Sequence, residues 1–269
     1  MYVEVEPGVR LHVSRVGEQG APVVFIHGAF VGNQMAWLLT TAAAVGATHR
    51  AFTYDLRAHG LSDKARVGHA VPNQVTDLGK VLDASHISEP CVLVGHSFGA
   101  LIALAFAVAT PARCAGLVLV DPPLPPTDPE AVTRFLAQPL DAIASALPLG
   151  MAGATESGSS GRRARKLLQS LQFLASETDL PAAVRGFDVP DEVLRTLAVP
   201  VDVVVGDGSP CRVAGERLRD VVPGARLHVL AGGHFLPLEQ PAALTAIVQE
   251  ALDRLYRLRG AAGPEQSHG

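Results

Sequence analysis

Gly95-His96-Ser97-Phe98-Gly99 follows the apolar run Cys91-Val92-Leu93-Val94 and opens the apolar segment Ala100–Val108. The order is strand, sharp turn, helix, with a serine at the apex. A serine hydroxyl is a poor nucleophile at its own pKa and has to be presented to a base with its surroundings cleared. So tight a turn strains the serine backbone and admits only small flanking residues, which accounts for glycine two positions before and two after. G-x-S-x-G alone is a weak signal, because glycine and serine are common. Between a strand and a helix it is a strong one. Phe98 begins the helix, so its N–H has no intrahelical acceptor and lies at the positive end of the helix dipole, suited to holding an oxyanion.

Outward from this turn, short continuous apolar runs recur at Val23–Ile26, Ala51–Tyr54, Ala115–Val120, Val201–Val205 and Arg226–Leu230. Such runs fit strands buried on both faces of a parallel sheet. Helical stretches separate them at Met35–Ala44, Val71–Ser85, Phe98–Thr110, Arg212–Val221 and Pro241–Leu258. Val3–Val5 and Arg10–Val16 alternate about Glu6-Pro7-Gly8 and predict a hairpin. The alternation predicts an α/β fold: a doubly wound, mostly parallel sheet with helices on both faces. From Pro122 to about Leu197 the strand pattern stops. Helices are expected there near Glu130–Ala137, Leu140–Ala146, Arg163–Ala175 and Asp191–Leu197, with a mobile Gly/Ser-rich stretch at Gly153–Gly161. The sheet pattern resumes at Val199, so residues 122–197 read as a helical lid inserted after the sixth strand. Residues 1–121 and 198–259 form the core, and 260–269 a disordered tail.

The 269 residues are 48% hydrophobic and 18% charged, the composition of a globular chain with a large core. A net charge of −4 gives no electrostatic footprint for nucleic acid or an anionic membrane. No apolar run is long and pure enough to span a bilayer. Met1–Arg15 alternates and reads as a strand rather than a signal peptide. Cys91, Cys114 and Cys211 are odd in number and scattered, which suits a reduced, cytoplasmic setting. No C-x-x-C or His/Cys cluster is present in the sequence, so neither metal nor cofactor is expected. The expected partner is a small-molecule substrate.

Taken together, the motifs resemble those of the α/β-hydrolase family over about Val9 to Leu258. They are His27-Gly28-Ala29-Phe30, Tyr54-Asp55-Leu56-Arg57-Ala58-His59-Gly60-Leu61-Ser62, the turn at Ser97, Leu117–Pro123, and Gly232-Gly233-His234-Phe235. The resemblance implies a nucleophile at Ser97, a general base at His234, and a second oxyanion donor at the N–H of Ala29 beside that of Phe98. It implies structural roles for His27 and His59 and a His96 turned away from the serine. Most relatives carry the acid three residues after the glycine that ends the strand corresponding to Val201–Val205. Ser209 stands there. Asp207, two residues early, and Asp121, at the end of Leu117–Val120, are the alternatives. Asp121 is favoured because a subset of relatives takes its acid from that strand end. Phe30, Phe235 and Trp37 are candidate pocket walls, Trp37 being equally suited to core packing. Arg162, Arg163, Arg165 and Lys166 form a basic run best read as a solvated helix face.

Sister activities of the fold that open epoxides or displace halide place an aspartate at the turn. A serine there implies an acyl-enzyme, hence an ester, thioester or lactone of a small apolar substrate. The alternatives are a C–C bond hydrolase or lyase on the same triad, and a low-turnover sensor that binds without efficient chemistry.

Overall fold

The computed structural model describes residues 1–30, 32–128, 130, 134, 138, 159–185 and 187–261. Eight strands form one sheet: β1 (Tyr2–Glu6), β2 (Val9–Val16), β3 (Pro22–Ile26), β4 (Arg50–Tyr54), β5 (Cys91–His96), β6 (Cys114–Val120), β7 (Val201–Gly206) and β8 (Arg226–Leu230). Their order is β1-β2-β4-β3-β5-β6-β7-β8. β1–β2 and β2–β4 pair antiparallel; every other pair is parallel. Burial follows position. The central strands β3, β5, β6 and β7 are buried at every residue, whereas edge strand β1 alternates exposed and buried. A central parallel strand has helices on both faces, so it is mostly apolar, and a polar residue within it, such as Asp202 in β7, is bonded to a partner.

Two apolar layers sandwich the sheet. One holds Leu78, Val81 and Leu82 of α3 (Val71–Ala84), most of α4 (Phe98–Ala109), and Ala214 and Leu218 of a helix that follows β7. The other holds Trp37, Ala42 and Val45 against Leu244, Val248 and Leu255 of the C-terminal helix. The predicted Met35–Ala44 helix is two, α1 (Met35–Leu38) and α2 (Thr41–Val45). Thr40 breaks it: its hydroxyl donates to the Ala36 carbonyl at 2.6 Å, competing with the backbone ladder.

Between β6 and β7, three described helices follow one another: α5 (Ser159–Ser176), α6 (Leu180–Arg185) and α7 (Asp191–Leu194). The helix expected at Arg163–Ala175 thus starts at Ser159, inside the stretch read as mobile. Residues 153–158 and 140–146, and most of 130–137, lie outside the described residues. Leu171 and Leu174 bury into the layer over α3 and α4. Charged groups fasten this segment at two places, between α5 and α6 and at the approach to α7. Asp179 accepts the Gly68 N–H at 3.0 Å and the His69 N–H at 3.2 Å. Arg217 donates to Asp191, Asp188 and the carbonyls of Pro125 and Val189 at 2.8–2.9 Å. After β7 come α8 (Arg212–Val221), α9 (Leu236–Glu239) and α10 (Pro241–Ala261). α9 was not expected from sequence, and α10 runs beyond Leu258 through Gly260; residues 262–269 of the expected tail lie outside the described residues. Among the described residues no helix is long and apolar enough to cross a membrane.

Candidate active site

Parallel strands deliver their C-terminal ends to one edge of the sheet, where successive loops converge. His96 pairs with Val120 in register, so the residues after β5 and β6, Ser97 and Asp121, lie side by side. Backbone bonds lock both: Ser97 N–H to the Val120 carbonyl and Asp121 N–H to that of Val204, each 2.8 Å. Ser97 has φ +53° and ψ −120°, and Asp121 and Phe30 have φ +46° and +63°. Three non-glycine residues in the left-handed region around one site is a concentration of strain typical of functional loops. The flanking glycines are a steric requirement: a Cβ on Gly95 would strike the Gly99 carbonyl, and one on Gly99 the Ile26 and His27 carbonyls.

Ser97 Oγ and His234 Nε2 are 2.8 Å apart. Burial, reinforced by the neighbouring His96, lowers the His234 pKa to about 3. The imidazole is therefore neutral across the ordinary pH range, with a ring nitrogen able to accept the serine proton. The loop carrying it is held at several points. His96 Nε2–H donates to the His234 carbonyl at 2.7 Å. Glu239 accepts the Gly233 and Phe235 N–H groups at 2.5 and 3.2 Å, and Asp207 accepts the Gly232 N–H at 2.9 Å. Sequence reasoning missed Glu239. It lies on a four-residue helix too short for any periodicity to announce it.

The two candidate acids are thereby separated. Asp207 is exposed and spends a carboxylate oxygen on the loop backbone. Asp121 is fully buried, and a carboxyl oxygen, Cys211 Sγ and a His234 ring nitrogen all lie within 4.8 Å of one another. The nearest group to His234 Nδ1 with a hydrogen-bonding contact is Cys211 Sγ at 3.6 Å. Asp121 Oδ1 takes the Gly206 N–H at 3.3 Å, while Oδ2 has no hydrogen-bond partner among the described residues. Burial pushes the Asp121 pKa up to about 7, against the pull of the Ser209 hydroxyl and the Gly206 N–H. Ser209 is itself buried and accepts the Cys211 N–H at 3.1 Å. No His/Cys cluster was legible in the sequence; the fold builds this one from three loops.

Gly28 abuts the turn, so that a Cβ there would sit 3.1 Å from the Ser97 Cβ. Beyond it, the Phe30 N–H is committed to His59 Nε2 at 3.0 Å. The His27 Nε2 takes the Leu56 N–H at 3.0 Å, and His27 Nδ1–H meets the Gly28 carbonyl at 2.7 Å. The Ala29 N–H has no partner among the described residues. His27 and His59 are thus struts of this loop, and burial lowers the pKa of both. A cavity of about 440 Å³ opens over Ser97, walled by Phe30, Met35, Phe235 and Leu238 and closed from the lid by Leu167 and Val184. Trp37 stands behind this wall, fully buried, tilted against Phe25 and donating to the Ile26 carbonyl at 3.2 Å. It is chiefly core.

Comparison with known proteins gives a consistent result. Over 259 residues the chain is 27% identical to the "Putative carbamate hydrolase RutD" of Variovorax paradoxus (strain S110), covering 91% of this chain and 97% of that one. Identity to epoxide hydrolase B of Mycobacterium tuberculosis (strain ATCC 25618 / H37Rv) reaches 38%, but over 121 residues, 43% of this chain and 33% of that one. The solved structure of Est816, described as an N-acyl homoserine lactone degrading enzyme, superposes with a TM-score of 0.72 at 26% identity, covering 93% of this chain and 99% of that one. Residues 23–247 match the model of the alpha/beta hydrolase family, and the chain belongs to that family.

Proposed function

We propose that this alpha/beta hydrolase cleaves a carboxylic ester, thioester or lactone of a small apolar substrate through an acyl-enzyme on Ser97. The observation that carries the reading is the 2.8 Å Ser97 Oγ–His234 Nε2 contact on the floor of an apolar cavity. Ser97 Oγ attacks the carbonyl carbon as its proton passes to His234 Nε2. The oxygen, now anionic, is received by the N–H groups of Ala29 and Phe98; a donor of this kind lowers a barrier by roughly 3–4 kcal/mol. His234 returns the proton to the departing oxygen or sulfur, leaving Ser97 acylated. Water then repeats the sequence on the ester and frees the acid. Asp121 supplies the negative charge facing the imidazole from β6, with Asp207 confined to the loop backbone. Phe30 and Phe235 shape the acyl pocket.

Ser97 also bears on the partial likeness to an epoxide hydrolase. Ring opening by the aspartate route needs a carboxylate at the turn, and a hydroxyl does not replace it. The low-turnover reading draws its support from Cys211, which rather than a carboxylate meets Nδ1. Turnover decides between them. A burst of p-nitrophenol from p-nitrophenyl acetate, with a fluorophosphonate adduct mapped to Ser97 and lost in Ser97→Ala, supports the hydrolase. Labelling without turnover on any short ester, thioester or lactone favours the sensor.

A further inference from the structure

We propose that Asp121, Cys211 and His234 form a latent binding site for a soft divalent cation such as Zn²⁺ or Cd²⁺, and that its occupation stops His234 from accepting a proton. The site comes from three loops, after β6, β7 and β8. A carboxyl oxygen, a thiol and a ring nitrogen lie within 4.8 Å of one another, and this is a ligand set that zinc accepts.

Two features of the geometry point to a cation beyond mere proximity. The first is a distance. A tetrahedral ion with bonds of about 2.3 Å to sulfur and about 2.1 Å to nitrogen sets those two atoms about 3.6 Å apart. Cys211 Sγ and His234 Nδ1 stand at 3.6 Å. The second is an orphan. Asp121 Oδ2 is fully buried and has no hydrogen-bond partner among the described residues, a costly condition for a carboxyl oxygen. A cation between the three groups removes that cost. Cys211 and His234 both line the cavity, which provides the way in and the side for a fourth ligand.

Binding releases the thiol proton of Cys211 to solvent, together with the carboxyl proton of Asp121 where it is still held, since thiolate and carboxylate are the ligands. The metal takes the lone pair of Nδ1, so the neutral ring carries its proton on Nε2. Nε2 then donates to Ser97 Oγ and has no lone pair with which to take its proton. The brake is reversible with a chelator. Cation binding stands independently of the reaction assigned above; loss of turnover rests on that reading.

The test titrates the purified full chain with Cd²⁺ and follows the thiolate-to-cadmium charge-transfer absorption. The expected result is a band saturating at one equivalent, reversed by EDTA, lost in Cys211→Ser, and shifted to higher Cd²⁺ in Asp121→Asn. Zn²⁺ should displace Cd²⁺ and suppress ester turnover in the wild type, with each variant compared with its own metal-free rate and losing that sensitivity. No band, a band retained in Cys211→Ser, or equal Zn²⁺ inhibition of wild type and both variants overturns the proposal. A band with the predicted variant pattern in a protein that hydrolyses no ester, thioester or lactone upholds the cation site and overturns the hydrolase reading.

Discussion

Replacing Asp121 by Asn should cripple turnover and make the fold progressively more stable relative to the wild type as pH rises from 5 to 8. The carboxyl is fully buried, and its pKa is raised from 3.8 to about 7 in the folded chain. Between these values the folded state binds a proton that the unfolded state has lost. Stability therefore falls with rising pH in this window, by about 1.4 kcal/mol per unit, and levels off above about 7. Relative to the fully protonated state the cost is about 2 kcal/mol at pH 5 and about 4 kcal/mol at pH 8. An amide does not titrate, so whatever constant offset the substitution brings, the variant gains roughly 2–3 kcal/mol on the wild type between pH 5 and pH 8. In a chain of this size, that widens the melting-temperature gap by roughly 5–10 °C.

Urea unfolding of both proteins at pH 5, 6, 7 and 8 reads the effect as a difference, in which every other titrating group cancels. Curves that run parallel across this range would refute the reasoning, because they would mean that Asp121 is ionised at little cost. The kinetic arm uses the same samples. Loss of the carboxylate should lower kcat by roughly 10²–10⁴. Turnover by the wild type should rise with pH through about 7 as Asp121 ionises, because His234, with its pKa near 3, stays neutral throughout. The Asp121→Asn profile should be flat.

Ser97→Ala and His234→Ala should each lower kcat by roughly 10⁴–10⁶, with the double variant no worse than the poorer single one; a multiplicative loss in burst kinetics would mean that the two do not act as a unit. Glu239→Gln should lower kcat far more than it lowers stability, since it weakens the grip on the N–H groups either side of His234; unchanged kcat removes it from the loop's support. Asp77→Ala leaves the buried Arg57 guanidinium without its bidentate partner, held at 2.6 and 2.8 Å, and should cost roughly 3–5 kcal/mol in urea unfolding. Arg217→Ala should speed proteolysis within 122–197 while sparing hydrolysis of the smallest esters, because the lid ends lose a shared anchor while Ser97 and His234 do not; full loss of small-ester turnover would give the lid a part in the chemistry.

The sheet was legible because its signals are local. A strand buried on both faces is apolar at nearly every position, as Cys91–Val94 of β5 and all of β6 are, and the turn at Ser97 must carry glycines wherever a Cβ would strike backbone. The site was less so, because its finer geometry is set by residues with no common sequence signature. Nothing around His96 announces that its ring pins the His234 carbonyl. Nothing in Cys211, one of three scattered cysteines, announces a contact with Nδ1. The acid shows the same limit from the other side. The sequence puts Ser209 where the family resemblance leads one to expect an aspartate and leaves Asp121 and Asp207 as rivals, both at strand ends. They part only when the β7–β8 loops are in place, which leaves Asp207 bonded to Gly232 at the surface and Asp121 beneath the imidazole. Burial there also raises the Asp121 pKa, and burial is a property of the assembled fold that no one segment of the chain contains. The positive φ at Asp121 belongs to the same account: a strained backbone and a buried, half-satisfied carboxyl coincide at one residue, the acid of the proposed triad, and neither can be read from the residues on either side of it.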